Sequence, residues 1–594
     1  MIRPLWLAGA ALVAALVARP AIAERPDVVV PLVAQGTAVI DGERVLMPRE
    51  DDAIRQPPGS TLEIAVRALG EGRLVLAPGS GTLADITVGI HTDAGGPHEP
   101  RFERIDDPAG PAWSASLAGV ADLPIRVRME NRSSEPVVWR RAELAGAGWR
   151  RPQLVRLDPP ERTRPLNVVV YLIDTLRADH LTTYGYQLPT SPKLAKLARR
   201  AMVFRRVYAP GSFTAATVPA LFSSRYPSEL RARLRPDGPA RQTLAEVFKA
   251  AGYDTAGFQA NFGLLAELGY ERGFDAYRVL KRGHGANLGY LRGGDVNDLA
   301  LQWLEERDGH PFFLYVQTMD PHVPHDPHPR FKGKVHPPTA VAPLTPDNLK
   351  QLVKIGADMT PEQRAKFRSY FEAIDIRAYD EDVAYALHEF ARFLNVLRTR
   401  GLLDDTLIVM TADHGEPLGQ HGDARHGASL YEEQIHVPLM IWAPGQTPGM
   451  REEILSLIDL PPTILDLAGL PIPESFLGRS FAFAQTSDTP PHAMGELLEH
   501  GGRDAGATYV REGPWKLITD TEGVELYHLP TDPGETANVA AENAVLTDYL
   551  VTRGTSRIPY HRAEDTAPAA FDEGLSEATR QELHDALRSL GYLE

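Results

Sequence analysis

The sequence predicts an α/β protein: a mostly parallel sheet flanked by helices, preceded by an all-β domain and followed by a small antiparallel subdomain. Three observations predict this. From Asn167 onward, short apolar runs alternate with amphipathic stretches, the texture of parallel strands joined by helices. Before about residue 155 there are only short alternating runs, punctuated by Gly, Pro, Asp and Asn, a spacing that suggests a β-sandwich. After about residue 490 the pattern changes again, to short strand-like runs around a tight turn. At 594 residues the chain is too long for one core, and these changes of texture divide it.

Residues 1–23 read as a secretory signal. Arg3 gives a positive start, Leu5 to Ala18 is apolar, and Ala21-Ile22-Ala23 is a small-x-small cleavage site. The apolar run is shorter than the ~20 residues a membrane span requires, so an uncleaved anchor is the lesser alternative and no transmembrane anchor is expected. The expected location is periplasmic or secreted. Residues 24–155 hold the strand-like runs Val28 to Val33, Thr61 to Val66, Arg73 to Ala77, Ile86 to Ile90, Ile125 to Met129 and Val137 to Arg140. Pro159 to Pro165 reads as a linker.

The catalytic unit is expected over 165–490. Asn167 to Ile173 is a buried strand. Ser191-Pro192 opens a helix, with Ser as N-cap and Pro at the first helical position. Thr243 to Ala251 is a second helix closed by Gly252, and Tyr253 to Ala260 the next strand. Phe312 to Gln317 is another buried strand. Val383, Leu387, Phe390, Leu394 and Leu397 mark one face of a long helix that ends at Gly401. Leu407 to Met410 and Val437 to Trp442 complete the strands. In the tail, 491–594, Thr508 to Val510, Trp515 to Thr519 and Val524 to His528 are short strands, and Leu575 to Leu593 a terminal helix.

Composition removes several functions. Net charge is −16, which disfavours nucleic-acid binding. There is no cysteine, so disulfides, thiolate zinc sites, a cysteine nucleophile and any cofactor made by oxidising a cysteine are excluded. What remains is concentrated at two strand ends. One strand runs into Asp174, and another into Asp413-His414-Gly415-Glu416. Ligands of open α/β sheets bind beyond the carboxyl ends of the strands, and two carboxylates with an imidazole meeting there point to a metal site.

Taken together, the motifs resemble the sulfatase branch of the alkaline phosphatase superfamily. They are Asn167 to His180; Tyr184-Gly-Tyr186 with Thr190-Ser-Pro192; Asp320-Pro-His-Val-Pro324; Thr411 to Glu416; His426-Gly427 with Leu430-Tyr-Glu-Glu433; and, in the tail, Pro514 to Ile518, Glu525 to His528 and Asp532 to Asn538. They occur in family order from about residue 165 to the end. The resemblance implies an alkaline-phosphatase-like fold. It places Asp174, Asp413 and His414 on one divalent ion, for which zinc, manganese or calcium suits the donor set. It gives His322 and His426 the work of meeting non-bridging oxygens or protonating the leaving group.

The nucleophile position departs from the family pattern. Sulfatases carry Cys-x-Pro-Ser-Arg, whose cysteine becomes formylglycine. Anchoring on Ala220 to Ser224 and Tyr226-Pro227 puts Thr214 in the cysteine position, with Ala216, Thr217 and Val218 replacing Pro, Ser and Arg. No formylglycine is therefore expected, and the stretch resembles threonine-type members such as phosphoethanolamine transferases. Thr217 and Ser212 are alternative hydroxyls in the same stretch. Leu387 stands where relatives usually carry Asp. Asp320 with His325 and His426 could hold a second ion; His325, His328 and His421 otherwise read as loop residues.

The leading expectation is a secreted, metal-dependent hydrolase that cleaves phosphate esters, diesters or phosphonate monoesters through Thr214. Its substrate would be a small-molecule or a glycan- or lipid-linked ester. A sulfuric ester hydrolase, a phosphoryl-group transferase and an inactive binding protein are the alternatives.

Overall fold

A computed structural model of the chain describes residues 164–230, 242–282, 289–336, 375–423, 425–482, 492–497, 506–521, 523–557, 576, 577, 580 and 581. Before residue 164 it describes the backbone of twelve strands. The predicted signal segment, the linker up to residue 163 and most of the predicted helix after Leu575 lie outside the described residues. Among the described residues, no helix is long and apolar enough to cross a membrane.

Two compact units divide the chain, Met1–Arg151 and Pro152–Glu594. The first contains two six-stranded antiparallel sheets. One centres on Val137–Gly146 paired with Arg73–Ser80, and the other on Pro124–Asn131 between Thr61–Arg67 and Ile86–Thr92.

The second unit is built on an eight-stranded sheet. Its strands are β1 (Asn167–Ile173), β2 (Met202–Tyr208), β3 (Asp254–Gln259), β4 (Ala276–Val279), β5 (Phe312–Thr318), β6 (Thr406–Thr411), β7 (His436–Trp442) and β8 (Gly449–Ser456). Their spatial order is β4-β3-β5-β1-β6-β7-β2-β8. All pairings are parallel except those of β7, which runs against both neighbours. The four neighbouring strands β3, β5, β1 and β6 therefore end at the same edge.

Helices flank the sheet. They are α1 (Pro192–Leu197), α2 (Thr214–Ser223), α3 (Leu244–Ala250), α4 (Gly293–Glu305), α5 (Ile376–Thr399) and α6 (Leu460–Ala468). The central strands are buried on both faces, which is why their sequences are continuous Val/Ile/Leu runs rather than alternating ones. In α5, Val383, Leu387, Phe390, Leu394 and Leu397 are all buried, and Phe390 and Phe393 pack on Tyr171 of β1. Leu387 is thus a core residue here. Thr243 and Glu246 form a reciprocal capping box at the start of α3. Ser191 behaves otherwise than predicted: its hydroxyl accepts from the Thr182 N–H at 3.1 Å instead of capping α1.

A four-stranded antiparallel sheet follows: β9 (His492–Leu497), β10 (Ala507–Glu512), β11 (Trp515–Thr519) and β12 (Val524–His528). It is fastened to the main sheet by Tyr509, whose hydroxyl donates to Ala209 O at 2.7 Å. Lys516 adds a second tie. It is fully buried and paired with Glu535 at 2.7 Å and Glu432 at 3.1 Å. A last helix, α7 (Ala544–Arg557), was not foreseen from the sequence.

The turn after β1 is held from outside. Thr175 adopts a left-handed φ of 56°, unfavourable for a β-branched residue. Tyr379 of α5 secures that turn: its hydroxyl donates to Thr175 O at 2.8 Å and accepts from Arg177 N at 2.9 Å. Tyr379→Phe would leave both buried backbone groups unsatisfied. We expect it to cost about 1–3 kcal/mol, read as a lower denaturation midpoint with unchanged secondary structure.

Candidate active site

Asp174 sits one residue past β1, and Asp413 two residues past β6. Because these strands are parallel neighbours, their carboxylates converge at the sheet edge. His414 follows Asp413, and ligand atoms of all three lie within 4.8 Å of one another. All three side chains are fully buried. The chain turns tightly there: a Cβ on Gly415 would stand 2.2 Å from Glu433 O, so only glycine fits after His414.

The hydrogen bonds of this group are lopsided. Asp174 Oδ2 accepts from Gln317 Nε2 at 2.8 Å and Asn261 Nδ2 at 2.9 Å. Asp413 Oδ1 accepts from His414 N at 3.0 Å and Thr175 N at 3.3 Å. Among the described residues, none donates a hydrogen bond to the buried Asp174 Oδ1 or Asp413 Oδ2. His414 Nδ1 lies 2.9 Å from Gly415 O, which fixes that nitrogen as the donor and leaves the Nε2 lone pair facing the carboxylates. Two orphaned carboxylate oxygens and one imidazole lone pair converge, which is what a divalent cation requires. Without one, burial and then the Asp413 charge raise Asp174 to about 7, and burial raises Asp413 to about 6. Burial and the neighbouring His426 lower His414 to about 4. The residues fit a metal ion and are poorly satisfied without it.

Thr214 is the first residue of α2, after Phe213 in extended conformation. Its Oγ1 lies 3.3 Å from His414 Nε2, 3.5 Å from Asp174 Oδ2 and 3.2 Å from Asn261 Nδ2. The positive end of the helix dipole favours negative charge at this position. The alternative hydroxyls are placed differently. Thr217 is turned back along α2 onto Phe213 O at 3.1 Å, and Ser212 Oγ is buried without a partner.

His322 and His426 arrive on separate loops and meet edge to face, with ring centroids 4.8 Å apart; His426 is 4.5 Å from His414. Glu416 joins them. Its Oε1 lies 2.9 Å from His426 Nδ1 and accepts from His426 N at 3.3 Å, while its Oε2 accepts from Val323 N at 3.4 Å. Burial opposes charge on both imidazoles, but Glu416 holds His426 above the ordinary imidazole value. Burial and the charge of His426 push His322 down to about 3. Against burial, His426 draws Glu416 down to about 2. The arrangement therefore favours the charged form on His426 and the neutral form on His322.

All six residues singled out from the sequence thus belong to one buried cluster. Three more belong with them and were given no role: Asn261, two residues past β3; Gln317, in β5; and Glu416, inside the Asp413 motif. For Asn261 the signal available was the one that found Asp174, a polar residue just after an apolar strand. The idea of a second ion on Asp320, His325 and His426 is not supported by the placement of these residues. Asp320 accepts from Gly293 N at 2.7 Å and pairs with Arg292 at 3.4 Å, and His426 faces Glu416. His325 is buried 3.7 Å from Asp375, His328 stacks on Tyr385, and His421 pairs with Glu433 at 2.7 Å. Among the described residues, Asp174, Asp413 and His414 are the one group arranged to hold a metal.

A sequence model of the family described as Sulfatase matches residues 166–470, more than half of the chain. The chain belongs to the sulfatase family. A second model, the C-terminal region of N-sulphoglucosamine sulphohydrolase, matches residues 419–550 of this sulfatase-family chain. Arylsulfatase K of Bos taurus is 33% identical over 180 residues, covering 28% of this chain and 33% of its own length. Choline-sulfatase of Rhizobium meliloti is 30% identical over 235 residues, 36% of this chain and 43% of its own length. The match thus spans about a third of arylsulfatase K. Among solved structures, one in complex with its substrate D-glucosamine-2-N,6-O-disulfate superposes with a TM-score of 0.52 at 21% identity, covering 65% of this chain and 96% of that one. The phosphonate monoester hydrolase of Agrobacterium radiobacter gives 0.51 at 20% identity, covering 65% and 94%. At such identities these structures establish the shared fold.

The carboxylate pair makes stability depend on pH and metal. In metal-free protein both folded pKa values are raised, so the folded state binds more protons than the unfolded chain between the ordinary value of 3.8 and about 7. Stability should fall as pH rises through that window. A divalent ion, which binds the deprotonated carboxylates, should restore it most strongly at the upper end. Thermal unfolding of chelator-treated and metal-reloaded protein across pH tests this; a metal-independent, pH-flat midpoint would contradict it.

Proposed function

We propose that this sulfatase-family chain is a secreted, metal-dependent hydrolase that cleaves phosphate ester, diester or phosphonate monoester bonds through Thr214. The observation that carries the reading is the position of Thr214 Oγ1, 3.3 Å from His414 Nε2 and 3.5 Å from Asp174 Oδ2, at the start of α2. Zinc or manganese suits a site of two carboxylates and one imidazole, and calcium is the harder alternative.

A cation bound by Asp174, Asp413 and His414 would supply positive charge that favours the Thr214 alkoxide over the alcohol. The chain's own residues do the rest. The deprotonated Thr214 oxygen attacks phosphorus, the bond to the departing oxygen breaks, and His426 gives that oxygen its proton. Glu416, at 2.9 Å from Nδ1, favours the charged form of His426 and leaves its other nitrogen for the substrate. His322, kept neutral, donates through Nδ1 to Val323 O and so keeps Nε2 as an acceptor rather than a donor. Water then attacks the phosphothreonine, returns a proton to His426 and frees the Thr214 oxygen. Burial of the cluster excludes bulk water and strengthens each of these interactions.

A second reading, hydrolysis of sulfuric esters, is favoured by the names of the relatives, arylsulfatase K and choline-sulfatase. It ranks lower because threonine lacks the route by which formylglycine releases sulfate.

The test uses metal-analysed protein with aryl phosphate mono- and diesters, an aryl phosphonate monoester and an aryl sulfate. We expect turnover of at least one phosphorus ester. Thr214→Ala should lower kcat on the order of 10³-fold or more while keeping metal content and fold. Activity confined to the sulfate transfers the site to the second reading, and full activity of Thr214→Ala removes Thr214 from the chemistry.

A further inference from the structure

We propose that Asn261 is a catalytic hydrogen-bond donor that holds a non-bridging oxygen of the group transferred to Thr214. The proposal rests on Thr214 being the nucleophile.

The amide of Asn261 is fixed in direction. Its Oδ1 accepts from Gly263 N at 2.8 Å, and its own backbone N–H donates to Gln259 Oε1. With the oxygen end so engaged, the NH₂ end must face the site. Its two protons have two acceptors there, Asp174 Oδ2 at 2.9 Å and Thr214 Oγ1 at 3.2 Å. Support of Asp174 alone does not require Asn261. Gln317 Nε2 already donates to the same carboxylate oxygen at 2.8 Å, and Gln317 is itself anchored by Tyr315, whose hydroxyl donates to its Oε1 at 2.6 Å. The contact to Thr214 Oγ1 is what Asn261 adds.

That contact changes partner as the reaction proceeds. In the resting site the N–H faces an oxygen that carries the nucleophilic charge. Once Oγ1 bonds to phosphorus it becomes an ester oxygen, a poor acceptor, and the negative charge lies one bond further on, on the non-bridging oxygens. The same N–H, on a buried side chain held from behind, is then beside them. A donor that gains strength as charge moves onto the transferred group lowers the barrier rather than merely binding substrate. Being neutral, the amide does this without competing with a cation for the two carboxylates.

The test compares wild type, Thr214→Ala, Asn261→Ala and Asn261→Asp on whichever aryl ester of the panel turns over fastest, and by calorimetric titration with orthovanadate. Asn261→Ala should lower kcat by about 10²–10³-fold, with KM within a few-fold and with metal content unchanged. It should weaken orthovanadate by about tenfold or more. Asn261→Asp, which replaces a donor with an acceptor, should be worse. Replacing a non-bridging oxygen of the ester by sulfur should slow wild type more than Asn261→Ala. Loss of metal from Asn261→Ala, or kcat and orthovanadate affinity within a few-fold of wild type, would overturn the proposal. Activity retained by Thr214→Ala would overturn the nucleophile reading instead, so the two failures are separable.

Discussion

The site depends on two carboxylates that cannot rest where the sheet puts them. Asp174 and Asp413 are delivered by adjacent parallel strands to the same buried spot, each with one oxygen supplied with donors and one without. Burial raises both above the ordinary carboxylate range, and the charge of Asp413 adds to the rise at Asp174. Such an arrangement is costly in an apolar interior unless a cation compensates it. The neighbouring residues are consistent with that purpose. His414 presents a lone pair, Gln317 and Asn261 hold the occupied oxygen of Asp174, and the strained Thr175 turn aims a backbone N–H at Asp413.

Two charges of opposite sign are then needed at different places, and the fold separates them. The start of α2 offers positive potential to Thr214. On the other side, Glu416 favours the charged form of His426, while burial and the charge of His426 hold the touching His322 neutral. Two similar histidines thereby become different reagents, a proton donor paired with a carboxylate and a neutral ring whose N–H is taken by the Val323 carbonyl.

Much of this was legible in the sequence, for a physical reason. Strands buried on both faces must be continuous apolar runs, so β1, β5 and β6 announce themselves, and the polar residues just past them stand out. Strands with weaker burial did not. β2 reads Met-Val-Phe-Arg-Arg-Val-Tyr, and the pairing register shifts at the Arg205–Arg206 interruption. The edge strand β8 carries Arg451, Glu452 and Glu453, so it looks like a loop. The role of Asn261 was hidden for a different reason. An amide has no charge to attract notice, and its importance comes from contacts 47 and 87 residues away in sequence. Leu387 is explained by packing: it is an interior residue of α5.

Glu416 has one more consequence. By binding the backbone on both sides, at Val323 and at His426, it rivets together two loops that lie far apart along the chain. Their imidazoles are held in a common frame by one side chain rather than by the loops' own backbone. Changes to loop residues outside these contacts would reshape what approaches the cleft while Glu416 keeps the proton-handling pair together. A scaffold hinged in this way can diversify its clientele by drift in its outer segments, while the inner machinery is inherited intact.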